Sequence, residues 1–79
     1  MKDYEGTVLK VISEWNPLGL SNPETDYFDV ISDILDSTKP TSSANTISKT
    51  IRKSFLVSYG KGIPVSECKR IAEQIISNL

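Results

Sequence analysis

The side chains with reactive potential in this chain are nearly all carboxylates. Asp26, Asp29, Asp33 and Asp36 recur at three- and four-residue intervals, with Glu24 just ahead of them, so that on a helix neighbours stand one turn apart. Carboxylates so placed can chelate a divalent cation or divide acid and base roles between them. They equally form the solvated face of an amphipathic helix, or a surface for a basic protein. Histidine is absent, which removes the usual general base near neutrality and the commonest metal ligand. Cys68, the single cysteine, therefore has no imidazole to activate it and reads as a small buried hydrophobe. A zinc site needs more sulfur and nitrogen ligands than the chain owns. Gly60-Lys61-Gly62 follows a helical stretch and lacks the spacing of a phosphate-binding loop, so it reads as a turn. The expectation is a protein that is not an enzyme and carries neither metal nor cofactor.

Charge narrows the partners. The 79 residues hold nine Lys plus Arg and ten Asp plus Glu, a net of −1, which favours neither nucleic acid nor an anionic membrane. The basic cluster Lys49, Arg52 and Lys53, with Lys39 nearby, lacks the interleaved exposed aromatics of a nucleic-acid surface. No apolar run approaches the roughly 18 residues of a membrane span, and the opening Met-Lys-Asp-Tyr-Glu is too polar for a signal peptide. One cysteine forms no internal disulfide, in keeping with a reducing cytoplasm. The charge is unevenly spread: residues 1–36 sum to −6 and residues 37–79 to +5. Such polarity either pairs the two halves across the fold or leaves each free to steer a partner of opposite sign.

The elements that must position these groups are all helical. Tyr4, Val8, Val11, Ile12 and Trp15 share one face at 100° per residue, which predicts a helix over residues 3–15 with Asp3 at its start. Pro17 ends it, because the residue before a proline is pushed out of the α region. Asn22 then precedes Pro23, whose missing N–H costs nothing at the first helical position, and a second helix runs over 23–36. There Tyr27, Val30, Ile31, Ile34 and Leu35 occupy one arc of about 140°, and the four aspartates occupy an opposite arc of about 80°. The polar link Ser37–Ser43 leads into a serine-capped third helix over 42–59, striped by Ile47, Ile51, Phe55 and Tyr59 and closed by Gly60. A fourth helix over 64–78 buries Val65, Cys68, Ala72, Ile75 and Leu79, flanked by Ile71 and Ile76. Period-two alternation is absent. The fold class is all-α: a single domain over 1–79, built as a compact four-helix bundle. Trp15 and Phe55 are the largest residues available to fill its centre.

The connection Trp15-Asn16-Pro17-Leu18-Gly19-Leu20 is the least generic stretch. Leucines in a loop either pack inward or face a partner, because loops are otherwise polar. Together with Asp26-Tyr27 opening the acidic helix and Glu67-Cys68-Lys69-Arg70-Ile71-Ala72-Glu73 near the end, it resembles the YugE-like family of small bacterial proteins, a domain of unknown function. That family's pattern has Trp-Asp-Pro followed by Leu or Ile and Gly, then Glu-Tyr-Asp, then Cys-x-x-Ile-Ala. Here Asn16 stands in place of the usual Asp, Thr25-Asp26-Tyr27-Phe28-Asp29 replaces the tight Glu-Tyr-Asp, and Ser42–Ile47 lacks acids. The resemblance spans nearly the whole chain and implies an all-helical bacterial domain with no known catalytic residues. Domains resembling it also occur beside polymorphic toxins, where small acidic helical proteins serve as immunity factors.

The functional expectation is a protein-interaction module, most concretely an immunity protein that blocks a nuclease-type toxin. Glu24, Asp26, Asp29, Asp33 and Asp36 would mimic phosphate toward a basic cleft, with Tyr27 as an aromatic anchor. The alternative is a structural homo-oligomer that pairs through a patch of Leu18, Leu20, Leu56 and Val57.

Overall fold

The computed structural model describes residues 3–79. Five helices follow one another: α1 (Tyr4–Trp15), α2 (Pro23–Asp26), α3 (Phe28–Ser37), α4 (Ala44–Tyr59) and α5 (Val65–Ser77). Among the described residues there is no strand. The four longer helices form a ring in which α1 packs on α3, α3 on α4, α4 on α5 and α5 back on α1, with no close backbone approach across either diagonal. The core lies inside this ring. Its fully buried side chains include Val8 and Ile12 of α1, Val30 and Ile34 of α3, Ile47, Ile51 and Phe55 of α4, and Cys68, Ala72 and Ile75 of α5.

The helix ends follow local chemistry. Ser43 caps α4, its hydroxyl accepting the Thr46 amide at 3.2 Å, which satisfies one of the donors a helix start leaves unpaired. Gly60 ends the same helix at φ 65° and ψ 24°, its amide donating to the Leu56 carbonyl at 3.0 Å; a side chain in this left-handed conformation would be strained. Asn16 takes the equivalent left-handed position after α1, at φ 40° and ψ 60°, a region asparagine tolerates better than most residues. Asp3 stands at the N-cap of α1, but its side chain accepts no capping bond.

The structure revises the sequence reading at several points. The helix expected over 23–36 is two helices, because Tyr27 at φ −96° and ψ 16° leaves the α-helical basin. The backbone remains paired through this step, with the Tyr27 amide donating to Pro23 at 3.3 Å and the Ile31 amide to Tyr27 at 2.9 Å. The step lets the Tyr27 ring enter the core completely, and it emerges as the largest fully buried side chain. Trp15, expected at the centre, is half-buried and lies edge-on to Phe55, ring centres 5.5 Å apart. Phe55 is the hub instead, also meeting Tyr27 and Tyr59, each with ring centres 5.7 Å away. Finally, Val65 and Leu79, assigned to the buried side of the last helix, are 60 % and 41 % exposed. They lie in phase with Ala72 but at the two ends of the stripe.

Candidate partner-binding surface

The five acidic residues singled out from the sequence, Glu24, Asp26, Asp29, Asp33 and Asp36, all stand exposed on α2 and α3. Two of them are engaged locally. The Asp26 carboxylate accepts the Asn22 amide at 3.1 Å, which ties down the start of α2. The Asp33 carboxylate accepts the Ser54 hydroxyl at 2.6 Å, which links α3 to α4. The row also divides by direction. Asp33 faces the α3–α4 groove, beside Lys53 and Val57, whereas Glu24 and Asp36 border the α1–α3 groove, joined there by Glu5.

Tyr27, expected as the aromatic at the edge of this surface, is fully buried and offers nothing to a partner. Its phenol is used internally: it donates to Oδ1 of Asn16 at 2.6 Å and accepts the Leu18 amide at 3.0 Å. Asn16 completes the set, its Oδ1 accepting the Leu20 amide at 2.9 Å and its Nδ2 donating to the Leu20 carbonyl at 3.1 Å. The segment Trp15, Asn16, Pro17, Leu18, Gly19, Leu20 is thereby a packed connection. The Trp15 indole donates to Glu67 at 2.8 Å, and Leu18 and Leu20 rest half-buried on the core.

The side chain that sequence reasoning passed over is Phe28, 65 % exposed at the start of α3. It lines an open groove of about 350 Å³ with Leu9, Ile31 and Leu35. The available signal was its position seven residues before Leu35, which continues the apolar stripe of α3 on the α1 side. Leu18, Leu20, Leu56 and Val57 do not make one patch. The leucines of the loop turn inward, Leu56 lines the α4–α5 groove with Arg52 and Val65, and Val57 faces α3.

No ion pair among the described residues joins the acidic and basic halves. Among the described residues the one ion pair is Arg70–Glu67 at 3.7 Å, between neighbours on α5. No group of three or more Cys, Asp or Glu side chains among them converges on a point that would hold a metal ion. Among the described residues two groups are shifted from their ordinary values. Burial raises the Tyr59 phenol, with the Asp29, Tyr27 and Asp26 charges adding to it; its hydroxyl donates to the Asp26 carbonyl. Burial also raises the Cys68 thiol, the Arg52 charge opposing and the Glu67 charge assisting. A thiol that stays protonated is a poor nucleophile and a poor metal ligand.

No helix among the described residues is long and apolar enough to cross a membrane. No solved structure matches the chain. The uncharacterised protein YugE of Bacillus subtilis (strain 168) is 27 % identical over 71 residues, an alignment that covers 87 % of this chain and 78 % of that protein. A model of the domain of unknown function DUF1871 matches residues 7–78. That match takes in all of α3, α4 and α5, the Asn16–Tyr27 connection and most of α1, so the chain belongs to the DUF1871 family.

Proposed function

We propose that the protein is a non-catalytic interaction module of the cytoplasm, whose α2–α3 face docks a basic protein partner. The concrete form we favour is an immunity protein that covers the basic cleft of a nuclease-type toxin. The observation carrying this reading is that the acidic row stands exposed beside an uncovered Phe28, with no cation of the basic half bridged to it among the described residues. Charges left unpaired inside a molecule remain available to steer a partner, and a large aromatic beside them gives that partner apolar area to bury. Phe28 takes the anchoring role first assigned to Tyr27. Asp29 and Asp36 carry the steering, since both stand exposed and neither accepts a side-chain hydrogen bond among the described residues.

The test uses the product of a reading frame adjoining this one as the cognate nuclease. The wild-type chain should bind it and quench cleavage, and an Asp29→Lys/Asp36→Lys variant should bind far more slowly, with the difference shrinking at high salt. Equal inhibition by the double variant, or no binding by the wild type, would discard the proposal.

A further inference from the structure

The helix ring carries two apolar grooves of opposite charge on opposite edges. On the α1–α3 edge, Phe28, Leu9 and Leu35 are rimmed by Glu5, Glu24 and Asp36. On the α4–α5 edge, Leu56 and Val65, 52 % and 60 % exposed, are rimmed by Lys49, Arg52 and Lys53 in a groove of about 450 Å³. Because α1 adjoins α3 and α4 adjoins α5 in the ring of helix backbones, these grooves lie on opposite edges and face away from each other. Part of the charge imbalance of the chain, −6 over residues 1–36 and +5 over residues 37–79, is displayed on these two rims, and among the described residues no ion pair joins them.

We propose that copies of this chain associate head to tail, the Phe28 groove of one closing on the Leu56–Val65 groove of the next. Each rim finds the opposite sign, and each exposed apolar side chain finds an apolar counterpart. Grooves on opposite edges cannot face one another across a single twofold axis, so the contact is heterologous and builds a ring or an open chain rather than a symmetric pair. The inference stands apart from the toxin partner, because its test uses the purified chain alone. The two occupants share the Phe28 groove and exclude each other there.

Sedimentation of three proteins decides it: wild type, Phe28→Glu and Leu56→Glu. The wild type should gain mass as its concentration rises toward the millimolar range, and less so at high salt. Each variant alone should remain monomeric, since each has lost one face. An equimolar mixture should form a one-to-one heterodimer, because each variant keeps the face the other lacks. A wild type that stays monomeric throughout, a mixture that stays monomeric, or one variant that still self-associates would overturn the proposal. Asp36→Lys and Arg52→Glu, which leave the apolar contacts untouched, form a second complementing pair should either first variant fail a circular dichroism check of folding.

Discussion

The phenol oxygen of Tyr27 lies 2.6 Å from Oδ1 of Asn16, joining the residue that ends α1 to the residue at which the acidic helix steps. The same oxygen accepts the Leu18 amide, so the one proton of the hydroxyl and one of its lone pairs are both committed. This contact holds a left-handed asparagine, a two-leucine loop and a helix break in one arrangement.

Tyr27→Phe should therefore destabilise the protein although it keeps the buried ring. It leaves the Leu18 amide without its partner, at a cost of about 1–3 kcal/mol. For a domain of this size that lowers the melting temperature by roughly 4–8 °C for each kcal/mol. Thermal melting followed by circular dichroism checks it, and an unchanged midpoint would mean that water replaces the phenol freely.

The aromatic cluster should respond unequally to truncation. Phe55 is fully buried and meets three other rings, so Phe55→Ala should cost about 3–5 kcal/mol and leave little folded protein. Trp15 keeps part of its surface in water, so Trp15→Ala forfeits less transfer free energy. Urea titration of the two variants should place Trp15→Ala at the higher midpoint; the reverse order would contradict the packing.

The raised Tyr59 phenol sets an alkaline limit. Its proton is held more tightly in the folded chain than in the unfolded one, so the unfolded state ionises first. The stability it contributes is present below the ordinary value of 10.0 and is lost as pH rises through the folded value. Tyr59→Phe should remove this group's part of the alkaline slope while lowering stability near neutrality, where the bond to Asp26 is lost. Denaturation midpoints across the alkaline range, compared between the two proteins, read both effects.

Cys68 should be unreactive until the fold opens. It is fully buried, its thiol is raised by burial, and its sulfur lies 3.9 Å from the Ile63 carbonyl. Labelling by a soluble disulfide reagent should be slow in native buffer and fast in denaturant, since the thiolate is the attacking form. Rapid native labelling would show that the α5 interface opens readily.

Several features were open to inspection before any fold was known, because they depend on residues close together in the chain. The 3.6-residue stripe of α4, its Ser43 cap and its Gly60 stop are local, and each stands where its residue types demand. Pro23 at the head of α2 is of the same kind. The exposure of the aspartates also follows from one helix's periodicity, since a carboxylate on the face opposite an apolar stripe has no reason to be buried.

What needed the tertiary structure is everything settled between distant residues. Tyr27 and Phe28 are adjacent and both aromatic, yet one is fully buried and the other 65 % exposed. Periodicity puts Tyr27 in the apolar arc, but its hydroxyl partner, Asn16, stands eleven residues away. Val65 belongs to the stripe of its helix by phase and yet lies 60 % exposed at the edge of the α4–α5 groove, and Asp33 is held by Ser54 of another helix. Amphipathic periodicity determines which face of a helix avoids water. Only the order in which the helices pack around the ring decides how much of that face is covered, and so places an acidic groove on one edge and a basic groove on the other.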